Sequence, residues 1–478
     1  MMSDQFEFSS WETPEEAGVS SAGLLRFLEE AALRQDTVQY HSLVLLRHGK
    51  TVARWNWAPY DDRTPHTLFS LSKSFCSAAA GFAVQEGLIA WDTSVVDVLP
   101  EEIPEGREEE LRQVTLETLL CMGSGLDPES DTEPEGEEIT WARHVLSYPV
   151  LYPPMTRFHY NTHGTYLVAC MLAKVTGTDL VSYLKPRLFD PLGIPAPYWE
   201  KSPQGICIGG YGLYLSSDSI ARFGQCLLQH GQWEGQQILP PGWVERATAG
   251  HIDNSNGNPE PDNEWHQGYG YQFWRCTDGR YRGDGMFGQL CVVDERLDAV
   301  AAVTCGTNDM AAELRLLRKY LFLAFDAAPG TVADQEKLAA CACSLGYPCP
   351  ADDGSSRPLP DGEYALKVRD GEEGSIRLDM DGDLLTMTLS DSVPVSLGRG
   401  RREMTCLKPS VSPVRWLGAY GWQDGRLLVD LRTPDGPFTM QALLDWDDDG
   451  LTYEGLGMGF PNGTVKFERK NKTTDGIE

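Results

Sequence analysis

The 478-residue sequence is short of positive charge and contains no long apolar run. Its 40 lysine and arginine residues are outnumbered by 70 aspartate and glutamate residues, which gives a formal net charge of −30. An acidic surface repels phosphate backbones and anionic lipid, so we expect neither nucleic acid nor a membrane surface as a partner. No stretch approaches the ~20 apolar residues of a membrane helix. The first residues also lack the basic start and apolar run of a signal peptide, so a cytoplasmic location is expected.

The sequence also lacks a disulfide scaffold and a complete set of metal ligands. Its twelve cysteines are scattered through apolar segments, and without an export signal we expect reduced thiols. Cys341, Cys343 and Cys349 have no nearby residues that complete a zinc site. His159 and His163 are four residues apart, as in a metal pair on a helix, but no acidic residue separates them, and His163 is better interpreted as lining a cleft. We therefore expect no cofactor and no metal.

The order of sequence patterns divides the chain into two parts joined by a helix and a linker. Strand-like segments begin and end residues 1–330, with helices between them, so these strands can share one antiparallel sheet in an α+β domain. Residues 331–360 contain an Ala/Cys-rich helix and a Pro/Gly/Asp/Ser linker. Residues 361–478 contain a series of strand-like segments separated by turns, which predicts an all-β barrel or sandwich. The charged segment 127–138 is a candidate lid, although a solvated insertion explains it equally well.

The most informative segment is Phe69-Ser70-Leu71-Ser72-Lys73, at the start of a small, Ala-rich helix. Ser70 lies near the helix N-terminus, where free N–H groups and the helix dipole favour developing negative charge. Lys73 lies three residues later on the same face, where an amine can exchange a proton with the hydroxyl. An ordinary helix N-cap is the simpler interpretation of Ser70. The Ser-x-x-Lys pattern alone is weak evidence, because it also occurs at 182–185 in an amphipathic segment that we interpret as structural.

Further segments make the pattern specific. Phe158-His159-Tyr160-Asn161-Thr162 precedes an apolar helix, and Gly285-Met286-Phe287-Gly288-Gln289 follows a strand near the end of the first part. Together with Met122-Gly123-Ser124-Gly125-Leu126 and Pro191-Leu192-Gly193-Ile194, these segments resemble the serine hydrolases of the class C β-lactamase and penicillin-binding-protein-like family. Residues 361–478 more loosely resemble the lipocalin-like β domain that some members carry.

The resemblance implies a role for each matching residue. Ser70 matches the acylated nucleophile, Lys73 its partner amine and Tyr160 the general base of the family's Tyr-x-Asn motif. The backbone N–H groups of Ser70 and Met286 match the two donors of an oxyanion hole. Contacts with the substrate are expected, less securely, from Asn161, Thr162, His163, Gly285 and Gln289.

Two departures from the family pattern narrow the expected chemistry. The Asn of the second motif stands one position early, at Asn161, and Thr162 holds its usual place. This variant resembles the esterase- and amide-hydrolase-like branch, which includes hydrolases of short nylon oligomers. No lysine occurs between Lys201 and Lys319, so the family's Lys-Thr-Gly motif is absent. That absence argues against an efficient β-lactamase or a carboxypeptidase.

Three functions remain open on the sequence alone. The first is a serine hydrolase that cleaves a small ester or amide through an acyl-enzyme on Ser70. The second is a catalytically silent relative that binds a ligand in the same cleft, with the β domain as an interaction module. The third is a D-amino-acid peptidase or weak β-lactamase. Ser70, Lys73 and Tyr160 together favour the first. A phenol is a poor base near pH 7 unless a neighbouring cation lowers its pKa, and we expect Lys73 and, more speculatively, Arg282 to do so.

Overall fold

The computed structural model describes residues 7–127, 139–195, 197–360, 363–367, 373–390, 394–406, 415–447, 450–456 and 463–469. Apart from Asp127, the candidate lid lies outside these ranges. The helices are α1 (Ser21–Ala32), α2 (Ser72–Gln85), α3 (Val95–Val98), α4 (Glu108–Leu111), α5 (Leu116–Leu120), α6 (Trp141–Leu146), α7 (Thr162–Thr176), α8 (Leu180–Leu184), α9 (Ser217–Leu228), α10 (Trp243–Thr248), α11 (Met310–Leu316) and α12 (Val332–Cys343).

Strands flank the helical region and then fill the C-terminal part. Those of the first part are β1 (Val38–Arg47), β2 (Lys50–Asn56), β3 (His66–Thr67), β4 (Tyr198–Trp199), β5 (Leu213–Leu215), β6 (Gln232–Trp233), β7 (Gln236–Gln237), β8 (Trp274–Arg275), β9 (Tyr281–Gly285), β10 (Gln289–Asp294) and β11 (Ala299–Thr307). The C-terminal strands are β12 (Glu363–Lys367), β13 (Glu373–Asp381), β14 (Leu384–Leu389), β15 (Val395–Arg399), β16 (Glu403–Cys406), β17 (Arg415–Gln423), β18 (Arg426–Arg432), β19 (Thr439–Asp447), β20 (Gly450–Gly455) and β21 (Gly463–Arg469).

The first part is built on a six-stranded antiparallel sheet in the order β2-β1-β11-β10-β9-β8. N-terminal and C-terminal strands of this part therefore share one sheet, and the predicted α+β fold is confirmed. Both sheet faces are covered, because Leu43 and Leu45 of β1 join one buried cluster while Val44 and Leu46 join the other. Burial on both faces explains why residues 43–46 of β1 are a continuous apolar run rather than an alternating one.

Helix α1 covers one face of this sheet. Ser20 caps it by accepting a hydrogen bond from the Gly23 N–H. Its buried stripe contains Leu24, Phe27 and Leu28, spaced as one side of a helix requires. Helix α2, which carries the Ser-x-x-Lys segment, lies on the opposite side of the sheet with α9, where Phe75 stacks on Phe223 at 4.1 Å between ring centroids.

The C-terminal strands form a closed barrel. Hydrogen bonds connect them in the order β15-β14-β13-β12-β21-β20-β19-β18-β17-β16, and a parallel pairing of β15 with β17 closes a ring of nine strands with β16 added beside β17. The prediction of a barrel or sandwich is confirmed as a barrel. The apolar pattern of β15 and β16 is weak, because Gly398, Gly400 and the charged residues that follow interrupt it.

The two parts are in direct contact. Arg432 is buried and donates from Nη1 to Oε1 of Gln39 at 3.0 Å. The Tyr347 hydroxyl, in the connecting segment, donates to the carbonyl oxygen of Tyr40 at 2.9 Å. Within the described ranges no single helix is long and apolar enough to cross a bilayer, although the bent pair 162–176 and 180–189 passes by length and composition when taken together.

Candidate active site

Ser70 lies at the entrance to helix α2. It is the middle residue of a single 3-10 turn, Phe69–Leu71, which continues directly into the helix. Phe69 has a φ of +46°, a left-handed conformation that is costly for a residue with a bulky side chain. A hydrogen bond to a distant segment holds the turn in place: the hydroxyl of Ser72 accepts from the Leu213 N–H at 3.1 Å. Ser70 itself is half-buried, so its hydroxyl is held at the surface of a rigid segment.

Lys73 is almost completely buried and its amine is surrounded by acceptors. Its Nζ lies 3.0 Å from Oγ of Ser70, 3.2 Å from Oγ1 of Thr162 and 2.7 Å from the carbonyl oxygen of Gly210. The side chain is 1% exposed. Three acceptors suit the three hydrogens of a protonated amine, whereas a neutral amine can instead accept the Ser70 proton. The helix therefore presents the hydroxyl and the amine as a pair within proton-transfer distance.

Tyr160 approaches the same pair from the segment before α7. Its ring stacks on Trp274 at 5.5 Å and meets the edge of Tyr269 at 6.4 Å. The amine of Lys73 lies 4.9 Å from the ring centroid, and the Ser70 side chain is close enough to the phenol to affect its pKa. Burial raises the pKa of the Tyr160 phenol well above its ordinary value, and the Ser70 side chain opposes this only in part. The phenol is therefore a neutral hydroxyl at neutral pH.

The expectation that a cation lowers the pKa of this phenol is wrong. The guanidinium of Arg282 pairs with Asp284, Nε to Oδ2 at 2.8 Å, and packs over the ring of Trp265 at 5.3 Å. The nearby carboxylate of Asp284 raises the pKa of Tyr160 further, after the larger effect of burial. Burial also raises the pKa of Asp284 itself, against the lowering effect of Arg282. The ionisable group that shifts the pKa of the phenol by its charge is thus an acid, Asp284.

Helix α7 places its first residues differently from the predicted contacts. Asn161 is the N-cap: its Oδ1 accepts from the Gly164 N–H at 2.8 Å, and its Nδ2 donates to the carbonyl oxygen of Leu126 at 3.4 Å. Thr162, at the first helical position, is the residue that contacts Lys73. His163 is buried beside Tyr148, with 6.3 Å between ring centroids. Because Asn161 caps α7, its side-chain amide is directed into its own helix.

The described residues include no group of three or more His, Cys, Asp or Glu side chains placed to hold a metal ion. His159 lies before α7 and donates its backbone N–H to the Met122 carbonyl oxygen at 2.8 Å. His163 lies within the helix. The two histidines are therefore not successive turns of one helix.

The turn after β9 lies directly against the Ser70 turn. A Cβ atom on Gly285 would clash with the carbonyl oxygen of Leu68 and stand 3.1 Å from the Leu71 nitrogen, so only glycine allows this approach. The chain then passes through Met286, which is 58% exposed, and Phe287, whose φ is +64°. This contact brings the backbone of Met286 next to the Ser70 segment, where an oxyanion donor is expected.

Gln289 holds this turn in place from inside the sheet. Its Nε2 donates to the Cys305 carbonyl oxygen at 2.8 Å and to the Met286 carbonyl oxygen at 3.3 Å, while its Oε1 accepts from the Cys305 N–H at 3.3 Å. The side chain is completely buried. Both ends of its amide are therefore bound to backbone, and this residue positions the Met286 turn rather than facing a ligand.

Sequence reasoning missed Gly210, whose carbonyl oxygen is the nearest acceptor to the amine of Lys73. A Cβ atom there would stand 2.8 Å from the backbone oxygen of Thr162, so the segment must be glycine to reach the site. The consecutive pair Gly209-Gly210 was the available signal. The second Ser-x-x-Lys segment has no such surroundings, because Lys185 forms an exposed ion pair with Asp190.

Comparison with known proteins finds similarity in both sequence and fold. The Beta-lactamase family matches residues 29–324, more than half of the chain. The 6-aminohexanoate-dimer hydrolase of Paenarthrobacter ureafaciens is 24% identical over 306 residues, which are 60% of this chain and 78% of that protein. The lovastatin esterase of Penicillium rubens is 28% identical over 151 residues, 27% of this chain and 37% of that protein.

A solved structure of SurE extends the similarity in fold to both parts. It covers 96% of this chain and 100% of that chain, with 17% sequence identity and a TM-score of 0.50. The matched residues 29–324 include Ser70, Lys73 and Tyr160 and the whole six-stranded sheet. The chain therefore belongs to the beta-lactamase family of serine hydrolases.

Proposed function

We propose that this protein hydrolyses a small ester or amide through an acyl-enzyme on Ser70. The observation that carries the proposal is the position of the Lys73 amine, buried and within 3.0 Å of the Ser70 hydroxyl. A buried amine so placed has a catalytic use, since it can remove the proton that prevents a serine from acting as a nucleophile. A hydroxyl that served only as a helix cap would not require it.

Acylation begins when the neutral form of Lys73 accepts the proton of Ser70 and the serine oxygen attacks the substrate carbonyl. The Tyr160 phenol, neutral because burial raises its pKa, donates its proton to the departing oxygen or nitrogen. The protonated amine of Lys73 then returns a proton to the phenolate. The sum leaves an acyl-serine, a neutral amine, a neutral phenol and a protonated leaving group. Water reverses the sequence and releases the acid.

The backbone N–H groups of Ser70 and Met286 are proposed to bind the oxyanion. The N-terminal end of α2 directs positive dipole character towards the carbonyl oxygen as it becomes negative. The close packing of Gly285 against Leu68 helps to fix the second donor, together with the hydrogen bonds of Gln289. Donors held in this way contribute mainly to the transition state, because they do not reorganise during the reaction.

The strand beside the nucleophile favours uncharged substrates over carboxylates. Where β-lactamases carry Lys-Thr-Gly, this chain has Gly285-Met286-Phe287-Gly288-Gln289, which contains no lysine. The charge next to this segment is the carboxylate of Asp284, which is paired with Arg282. A penicillin or a peptide C-terminus presents a carboxylate, which Asp284 would repel. We therefore place the chain with hydrolases of uncharged esters and amides, and one relative of the chain is named an esterase.

Steady-state hydrolysis of four substrate types tests this proposal: p-nitrophenyl acetate, p-nitroacetanilide, nitrocefin and a D-alanyl-D-alanine peptide. Turnover of the ester or the uncharged amide, absent in Ser70→Ala and retained in Ser182→Ala, is the expected result. Ser182 is the matched control because it belongs to the second Ser-x-x-Lys segment. Turnover that survives in Ser70→Ala, or faster turnover of nitrocefin or the peptide than of the other two, contradicts the proposal.

A further inference from the structure

One loop of the barrel lies close to Ser70. This loop, residues 433–438, connects β18 to β19, and its residues 433–437 are buried. The carbonyl oxygen of Asp435 accepts a hydrogen bond from the backbone N–H of Thr67 at 2.9 Å, three residues before the nucleophile. The carboxylate of the same Asp435 accepts from Nε of Arg415 at 3.0 Å within the barrel. The loop is thus attached on one side to the barrel and on the other to the segment that carries Ser70.

The loop also has a fixed internal shape. The Thr433 N–H donates to the Phe438 carbonyl oxygen at 3.0 Å, and the Phe438 N–H donates to the Thr433 hydroxyl oxygen at 3.0 Å. Thr433 is 1% exposed, whereas Phe438 is 40% exposed. The loop therefore holds one large apolar side chain partly in solvent on a fixed backbone.

Phe438 is directed at two phenylalanines that adjoin the proposed catalytic groups. Its ring centroid is 6.4 Å from that of Phe69, the residue before Ser70, and 5.7 Å from that of Phe287, the residue after Met286. Phe69 and Phe287 are themselves 5.1 Å apart, and all three pairs meet edge to face. The three rings form one apolar surface, which we call the phenylalanine triad.

The backbone at two members of the triad is strained. Phe69 has a φ of +46° and Phe287 a φ of +64°. A left-handed conformation is unfavourable for a residue with a side chain, and such positions persist where the surroundings enforce them. Both strained residues flank an expected oxyanion donor, so the conformation that places the donor also places the ring.

We propose that the phenylalanine triad is the acyl-group subsite of the enzyme, and that through Phe438 the barrel selects substrates with an apolar acyl chain. This inference rests on the proposed function, since it assumes an acyl-enzyme on Ser70. Tyr160, which donates to the leaving group, packs in a different set of rings with Trp274 and Tyr269, and among the described ring contacts the two sets share no pair. The triad is therefore assigned to the opposite side of the scissile bond, where the acyl group lies.

The subsite is apolar and uncharged, which defines the class of acyl group. The exposed side chain of Met286 adds a flexible apolar neighbour. Such a surface suits linear or branched hydrocarbon acyl chains and aryl acyl groups, and it offers a carboxylate or an ammonium at the chain end no partner. Contact between the acyl chain and one ring face removes apolar area from water. A longer acyl chain buries more area, so acylation becomes faster as the acyl chain lengthens.

The test compares p-nitrophenyl acetate with p-nitrophenyl hexanoate in the full-length enzyme. In the wild type, kcat/KM is expected to be higher for hexanoate. In Phe438→Ala this preference is expected to fall by about tenfold, the factor that corresponds to a lost apolar contact of ~50 Å2. Phe438→Leu keeps an apolar side chain and is expected to retain most of the preference. Leu456→Ala is the matched control, because Leu456 is also in the barrel and also 40% exposed.

Labelling by a short-chain fluorophosphonate separates the two proposals. If Phe438→Ala is labelled on Ser70 at the wild-type rate and loses the chain-length preference, the subsite is supported. If it is labelled normally and keeps the preference, the subsite proposal is overturned while the proposed function stands. If the preference lost in Phe438→Ala is for longer leaving alcohols in a series of acetate esters, the assignment to the acyl side is overturned. If the wild type itself is not labelled, the proposed function fails.

Discussion

Replacing Gln289 by leucine tests whether this side chain holds the Met286 turn in place. Leucine fills the same space but removes every hydrogen bond that the amide makes. The N–H and C=O groups of Cys305 then lose their partners in a position that is 0% exposed. An unsatisfied buried polar group costs about 1–3 kcal/mol, so the free energy of unfolding is expected to fall by about 2–5 kcal/mol. The leucine leaves no room for a water molecule to replace the amide.

The same substitution is expected to reduce catalysis. Gln289 also donates to the carbonyl oxygen of Met286, so its loss frees the residue whose N–H is the proposed second oxyanion donor. Complete removal of such a donor reduces kcat by about 10²–10³, and a loosened donor is expected to cost about tenfold to hundredfold. KM should change little, because the donor acts mainly on the transition state.

Urea unfolding followed by tryptophan fluorescence, together with kcat for p-nitrophenyl acetate, measures both effects. The control is Gln232→Leu at an exposed position in the β6–β7 hairpin, where a change within ±0.5 kcal/mol is expected. The reasoning is refuted if Gln289→Leu unfolds within about 0.5 kcal/mol of the wild type and keeps its kcat.

Two further substitutions address the proton path. Lys73→Met is expected to lower kcat by about 10²–10⁴, the range for loss of a general base. The control Lys185→Met, in the second Ser-x-x-Lys segment, should leave kcat unchanged. Equal activity of the two variants would count against Lys73 as the general base. The carboxylate of Asp284 adds to the burial that raises the pKa of Tyr160, so Asp284→Asn should lower that pKa and move the high-pH decline of kcat/KM to lower pH. A pH profile with Asp379→Asn as an exposed control checks this, and a shift to higher pH contradicts it.

The sequence was sufficient for those features that short segments encode. The apolar runs of β1 and β11 predicted strands at both ends of the first part, and pairing them into one sheet required only the rule that such α+β folds close in this way. The spacing of Ser70 and Lys73 predicted their contact because residues three apart share a helix face. Local periodicity is a property of the chain itself and needs no knowledge of distant contacts.

Other features of the site depend on contacts between distant segments. Gly210 reaches Lys73 across 137 residues of sequence, and nothing next to it indicates a catalytic partner. Gln289 looked like a ligand contact because it is polar and close to Met286, yet the sheet turns it inward to Cys305. The direction of the Tyr160 pKa was mispredicted because burial and the carboxylate of Asp284 became visible only in three dimensions.

The contact between the barrel and the segment that carries Ser70 could not be predicted from the sequence. Phe438 lies 368 positions after Ser70 in the chain, within a stretch that carried no chemical motif. Its relation to Phe69 arises because residues 433–437 are buried and Asp435 is bonded to Thr67. Such a contact is a property of how two folded parts pack, and sequence patterns describe each part alone.

The measurement that tests the central claim most directly is the intact mass of the protein after exposure to a fluorophosphonate, for the wild type and for Ser70→Ala. The account predicts one covalent adduct per wild-type chain, located on Ser70 by peptide mapping, and none on Ser70→Ala. No adduct on folded wild-type protein, or an equal adduct on Ser70→Ala, would contradict the assignment of Ser70 as an activated nucleophile.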